Sequence, residues 1–324
     1  MKSKRTPIAG LLAAVLMSLG AGAFAQDYPS RPIKIVVPFP PGALTDTLAR
    51  MVGGKLQAKW GQPVVVENRS GASGHIGSEF VYRAEPDGHT MMFTPQAPLV
   101  ISKLLSPKLP FEPEAFAPIA VVTRSTVLLL VNPKMAVENL QQLVALAKAS
   151  PGKLNYASTG ITSSTYLTQE LFNMMAGVNI THVPYQGIAP AQMALVAGQV
   201  DVLFDAMGGT IAHVRAGRMR VLGVATERRS QSMPEVPAIA ETLPGFLSTL
   251  WTGMVAPPKT SSAVTTKISA AVAESLKEPD VAKRLSELVG VEAIGSTPAE
   301  MEAVMKEERA RWGKVISATG AKAE

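Results

Sequence analysis

The chain has 324 residues and no cysteine, and its 31 Lys and Arg exceed its 25 Asp and Glu by six. The missing cysteines exclude a disulfide framework, a thiolate metal site, a thiol nucleophile and a lipid-bearing cysteine. The basic residues are scattered without a run of five or six, which excludes a nucleic-acid footprint and leaves them as a solvated surface.

The first 25 residues read as an export signal. Lys2, Lys4 and Arg5 form a charged start, Ile8 to Leu19 an apolar run, and Ala23-Phe24-Ala25 a small-residue cleavage site that leaves Gln26 first. Gly10, Ser18 and Gly20 interrupt the apolar run and no stop-transfer segment follows, so the expectation is a periplasmic protein rather than a membrane-anchored one. Loss of Lys2, Lys4 and Arg5 would leave a net charge of +3. The remaining chain of about 300 residues exceeds the size at which one core keeps growing, which predicts two domains.

Along the chain, short β-branched runs alternate with stretches of helical spacing, the pattern of an α/β protein with mostly parallel sheets flanked by helices. Strands are expected over residues 33–39, 64–67, 90–94, 119–123, 127–131, 154–157, 180–185, 200–204, 220–225 and 251–256, most of them continuous apolar runs. Helical faces follow from Leu48, Met51, Val52 and Leu56, from Leu140, Leu143, Val144 and Ala147, and from Leu167, Leu171, Phe172 and Met175. Gly177, Gly198 and Gly217 read as helix C-terminal caps, Pro190 as a first-turn residue, and Thr297 to Glu300 as a capping box opening a last helix over 298–317. The prolines between Leu105 and Pro118 mark a boundary, and a second crossing is expected near Thr226 to Pro237. Two crossings imply an inserted domain: domain I over 26–122 and 227–324, domain II over 123–226, with a hinge and a cleft between them.

In such sheets ligands lie at the carboxyl ends of strands, against the N-termini of the following helices, where unpaired amides and the helix dipole favour an anion. Three strand-to-helix turns supply candidates. The first contains Phe39, Pro41, Gly42, Leu44, Thr45 and Asp46; the second contains Ser73 and His75, which opens a helix. The third runs from Ser158 to Thr165, with six hydroxyls in eight residues, including Ser158, Thr159, Thr162 and Ser163, more than one cap requires. Thr94 and Gln96 at the end of the third strand join these candidates. Asp205 also ends a strand, and serves either to accept from a ligand or to cap a helix over 210–216. Between Lys153 and Arg215 there is no Lys or Arg, so an anion held there is bound by dipoles and hydroxyls.

Signals for catalysis or cofactors are thin. The glycines of Gly71-Ala72-Ser73-Gly74-His75-Ile76-Gly77 fall at the first, fourth and seventh places, unlike a dinucleotide loop, and no phosphate loop, nucleophile elbow or zinc-protease motif occurs. His75, His89, His182 and His213 lie far apart without metal-ligand spacing. A binding protein without cofactor or metal is the expectation, not an enzyme.

At these same turns the sequence resembles the Bug family, extracytoplasmic solute-binding subunits of tripartite tricarboxylate transporters. The resemblance rests on Tyr28 to Ile33, Pro40 to Asp46, Val65 to Arg69, Gly71 to Gly77, Ala84 to Gly88, Asn155 to Ser158, His182 to Tyr185 and Gly198 to Asp201, in order along essentially the whole mature chain. It implies a monomeric, two-lobed type II periplasmic-binding-protein fold that closes over a mono- or dicarboxylate and delivers it to membrane transport subunits. A sensor that presents the bound acid to a membrane receptor would use the same cleft, whereas an exported hydrolase is disfavoured by the missing nucleophile and base. By the same resemblance the first two turns hold one carboxylate through backbone groups and waters, the Ser158 to Thr165 loop holds the far end, and Asp205 reads a polar substituent. Departures from the family pattern are Ala43 and Leu44 where paired glycines are usual, Tyr166 in place of a frequent His, and Gln186 in place of a common Lys. They predict an aromatic or longer-chain carboxylate rather than citrate.

Overall fold

The computed structural model describes residues 28–106, 108–161 and 163–321. The export signal expected over residues 1–25 lies outside the described residues. In chain order the first part runs β1 (Ile33–Val37), α1 (Leu44–Trp60), β2 (Val64–Asn68), α2 (His75–Tyr82), β3 (Thr90–Pro95), α3 (Ala97–Val100), α4 (Ser102–Leu105) and β4 (Ala117–Ser125). The middle part runs β5 (Val127–Val131), α5 (Leu140–Ala149), β6 (Asn155–Ser158), α6 (Ser164–Ala176), β7 (Thr181–Pro184), α7 (Ile188–Ala197), β8 (Val202–Ala206), α8 (Met207–Arg215) and β9 (Arg220–Val224). The chain then returns through β10 (Leu250–Ala256), α9 (Ser262–Ser275), α10 (Pro279–Ser286), β11 (Val291–Ala293) and α11 (Pro298–Thr319).

These strands form two sheets, ordered β11-β4-β10-β3-β1-β2 and β7-β6-β8-β5-β9. Each has a parallel set, β1 with β2 and β3 in one and β6 with β7 and β8 in the other. Each also has a reversed strand inside: β10 is antiparallel to β3 and β4, and β5 to β8 and β9. Those reversals fix where the lobes join. Because β3 and β4 both oppose β10, Ser125 leaves the first sheet at the edge where β1, β2 and β3 end. Because β5 opposes β8, Val127 enters the second sheet at the edge where β6 and β8 end. The return is alike: β9 ends at that edge, and β10 begins at the carboxyl edge of the first sheet. Both passages therefore join carboxyl edge to carboxyl edge.

The first passage is a single buried residue, Thr126, whose N–H donates to Gly290 O at 2.8 Å and whose carbonyl accepts from Met207 N at 2.9 Å. In the second, Ser248 N donates to Ala225 O at 2.9 Å, and the Ser248 hydroxyl meets that of Thr168 at 2.6 Å. The proline stretch from Leu105 to Pro118 does not cross between sheets. It wraps the first lobe, anchored by buried Phe111 and Phe116 against Tyr82.

Helices cover both faces of each sheet. Ile35, Val37 and Met91 pack with Leu48, Val52 and Leu56 of α1 and with Ile268 and Val272 of α9. Leu128, Leu130 and Leu203 pack with Ala191 and Leu195 of α7. A third cluster spans the lobes, from Val36 and Met92 through Trp251, Phe246 and Phe204 to Phe172, with Met301, Met305 and Trp312 of α11. The capping box is present: Thr297 Oγ1 accepts from Glu300 N, and Glu300 accepts from Thr297 N at 2.8 Å.

One close approach positions α2 against the first sheet. A Cβ on Gly77 would lie 2.8 Å from both Arg69 O and Pro38 Cβ, and 2.9 Å from Pro38 Cα, whereas one on Gly54 in α1 would meet nothing within 4 Å. Replacing Gly77 with Ala should therefore destabilise the fold by roughly 1–3 kcal/mol through overpacking. Gly54→Ala should be neutral or stabilising by up to about 1 kcal/mol. Urea unfolding of the two variants checks the contrast.

Candidate functional site

The turn after β1 is locked from below. Asp46, buried in the first turn of α1, accepts from Gly42 N at 3.0 Å, Arg50 Nε at 3.1 Å and Asn68 Nδ2 at 2.9 Å. Asn68 Nδ2 also donates to Phe39 O at 3.1 Å, so both ends of the turn are tied to the end of β2. Burial would raise the Asp46 pKa, but Arg50, the Gly42 amide and Asn68 outweigh it and bring it down to about 2. Asp46 is thus an ionised brace, already occupied. Gly42 turns the chain with φ of +85°, and Ala43 gives α1 no side-chain cap, so first-turn amides are left to an outside acceptor. Pro41 and Leu44 are exposed, Phe39 is half-buried and Thr45 is buried.

In the turn after β2, four consecutive residues have positive φ: Gly71 at 130°, Ala72 at 47°, Ser73 at 55° and Gly74 at 92°. Two of them are not glycine, and each such residue costs on the order of 1 kcal/mol, which the surrounding contacts must offset. Phe39 supplies one: its ring lies against Gly74, beside Pro98. Gly74 gives α2 no side-chain cap either. His75, at the start of α2, places Nε2 3.1 Å from Ser102 Oγ and stands edge-on to Phe111. Burial pushes its pKa down, so the ring is a neutral hydrogen-bonding group at neutral pH rather than a cation. At the end of β3, Thr94 and Gln96 are buried. Gln96 locks β3 to β10, its N–H donating to Trp251 O and its Oε1 accepting from Trp251 N, both at 3.1 Å.

The hydroxyl-rich turn of the second lobe uses most of its alcohols on itself. Ser158 is fully buried; its Oγ is 2.6 Å from His182 Nε2 and accepts from Gly160 N at 3.0 Å. Ser163 caps α6 by accepting from Tyr166 N, donates to Gly160 O and meets Thr165 Oγ1 at 2.8 Å. Thr159 N donates to Thr165 Oγ1 at 3.1 Å. The surplus of hydroxyls inferred from sequence is thus largely internal bracing, while Thr159 and Ser164 stay partly exposed and Thr162 lies outside the described residues. Tyr166 lies in the core, edge-on to His182 and beside Tyr156, instead of lining an open surface.

Asp205 lies at the carboxyl end of β8, one residue before its last, but α8 begins at Met207, so the carboxylate sits before the N-cap, Ala206. Its Oδ1 accepts from Ala206 N and its Oδ2 from Gln192 Nε2, both at 2.7 Å. Burial raises its pKa, with Gln192 and the Ala206 amide pulling the other way. Sequence reading missed Gln192 and the pairing of His182 with Ser158, since partners on other elements leave no local signal.

The turns after β1, β2 and β3 thus share one sheet edge, those after β6 and β8 share the other, and both passages between lobes run between these two edges. A family model described as "Tripartite tricarboxylate transporter family receptor" (TctC) matches residues 48–321. The chain belongs to that family. Protein BugT of Bordetella pertussis is 34% identical over 307 residues, covering 94% of each chain. Among solved structures, Rpa4515 of R. palustris with adipate is 33% identical, with a TM-score of 0.74 over 91% of this chain and 99% of that one. MatC (Rpa3494) from Rhodopseudomonas palustris with bound malate is 34% identical, with a TM-score of 0.71 over 89% of this chain and all of that one. The TctC-family protein described here is accordingly a solute-binding receptor and not an enzyme.

This receptor has a further concavity at the junction of its lobes, beside the second passage. A cavity of about 350 Å³ is lined by Arg124 at the end of β4, by Thr226 to Gln231 and Thr249 of the second passage, and by Glu307, Glu308 and Arg311 of α11. The Glu308 carboxylate is buried and accepts from Trp251 Nε1 at 2.9 Å. Burial pushes its pKa up to about 7, against the pull of Trp251, Arg311 and Arg124. Between about pH 4.5 and 7 the folded chain keeps a proton that the unfolded chain releases, so stability falls as pH rises through that window. The shift corresponds to about 3 kcal/mol. Glu308→Gln should therefore melt several degrees above the native protein at pH 8 and within about a degree of it at pH 5, read by calorimetry at both pH values.

Proposed function

We propose that this protein captures a small carboxylate outside the cytoplasmic membrane, in the cleft between the two strand-end edges, and delivers it to membrane subunits of a tripartite tricarboxylate-type transporter. The observation that supports this most is the pair of edge-to-edge passages, which turn uncapped helix N-termini of the first lobe towards the braced turns of the second. Amides at such termini hold anions without a cation, and release them more readily than a desolvated arginine would. The two bodies that close follow the expected division into 26–122 with 227–324 and 123–226, with the first boundary shifted past β4 to Thr126, and they pivot there and at the segment between β9 and β10. Residues 1–25 act as the export signal. Two relatives about one third identical to this chain are described with adipate and with malate, both small carboxylates.

The reading is tested by native mass spectrometry of the protein purified from its own host, together with deletion of its gene. A co-purifying small acid, and loss of uptake of that acid by the deletion strain, are the expected results. Unchanged uptake with lost transcriptional induction would replace delivery with sensing. Protein that carries no acid, and binds none in titration, would remove the capture reading itself.

A further inference from the structure

Eight large hydrophobic side chains are exposed among the described residues, and three of them stand on the three strand-end turns. Leu44, 40% exposed, opens α1; Ile76, 53% exposed, is the second residue of α2; Ile161, 38% exposed, lies in the turn before α6. Single exposed aliphatics elsewhere on a surface need no explanation, but apolar residues gathered where a ligand would sit amid polar rims mark a binding groove. Half-buried Phe39 and exposed Pro40 and Pro41 extend the apolar character of the first lobe's side.

The arginines of the first two turns are already paired. Arg50 is bound to Asp46 and to Asn68 Oδ1 at 2.9 Å, and Arg69 pairs with Glu67 and lies over the Phe80 ring at 3.6 Å. The second lobe offers no Lys or Arg between Lys153 and Arg215. A guest with several charges or hydroxyls along its body would lose water there and meet aliphatic side chains, with few polar groups in exchange.

Resting on the capture reading above, we infer that the receptor selects carboxylates whose body is an unsubstituted hydrocarbon, with Leu44 and Ile76 contacting that body from one lobe and Ile161 from the other. The carboxylate is held by turn amides, and discrimination against hydroxylated acids comes from the three aliphatic side chains.

The test is calorimetric titration of the mature protein, refolded after removal of co-purified ligand, with adipate, benzoate, malate and citrate. Adipate or benzoate binding at least tenfold tighter than malate and citrate is expected; equal or tighter binding of malate or citrate would overturn the inference while leaving carboxylate capture intact. No binding of any of the four acids would count against both. In a Leu44→Ser, Ile161→Ser double variant, the affinity for the preferred acid should fall roughly tenfold or more, since burying part of each aliphatic side chain supplies that much. Binding of malate should fall by a smaller factor. Ile76→Ser provides a second variant, and thermal melts confirm that each stays folded, as exposed positions allow. Equal losses for all acids in folded variants would reject a role in selection.

Discussion

The architecture depends on one constraint of direction. Parallel strands place all their carboxyl ends on one edge of a sheet, and a single reversed strand in each sheet lets the chain enter or leave by that same edge. Because β10 reverses the first sheet and β5 the second, both connections between lobes join carboxyl edges. Had either strand run with its neighbours, one of the two connections would have to traverse the height of a sheet. The short passage at Thr126, hydrogen-bonded to Gly290 and Met207, holds the edges close.

The turns on those edges are rigid for different reasons. Asp46 clamps the first through an ionised carboxylate that receives three donors, and strained backbone at Ala72 and Ser73 shapes the second. In the third, Ser158 and Ser163 bond to the Gly160 backbone, Thr165 accepts from Thr159 N and meets the Ser163 hydroxyl, and Ser158 meets His182. Side chains that looked like ligand contacts are mostly scaffolding for main-chain amides. The scaffold consumes the local cations as well, since Arg50 and Arg69 neutralise Asp46 and Glu67. Leu44, Ile76 and Ile161 stay exposed on these turns, and the helices after the first two begin without side-chain caps, a combination suited to an anion with an apolar body.

Much of the fold was legible because buried strands such as Leu128 to Val131 are apolar runs too short for a buried helix. The ten expected strands form within two residues of their bounds. The strand that escaped notice, β11, is three residues long, with two of them exposed, and exists only through pairing with β4. Prolines between Leu105 and Pro118 signalled irregular backbone correctly, yet irregular backbone can wrap a lobe as well as link two. The passage at Thr126 carries no proline or glycine and has no local signature. At the site, positions of turns followed from strand ends, but the state of each side chain did not. Whether Ser158 points at a ligand or at His182, or whether Asp205 is held by Gln192, is decided by residues 13 to 24 positions away.

If the two edges close over a ligand, markers at the mouth of the cleft must approach each other. Ser70, after β2 at one end of the first sheet, and Gln186, after β7 at one end of the second, are both exposed, and the chain has no native cysteine to interfere with labelling. Spin labels on a Ser70→Cys, Gln186→Cys variant give the distance between them by double electron–electron resonance, with and without a saturating carboxylate that the protein binds. A shorter, narrower distance distribution in the presence of the acid is the result that facing edges require. A distribution unchanged by a bound acid would contradict closure of the two edges over a common guest.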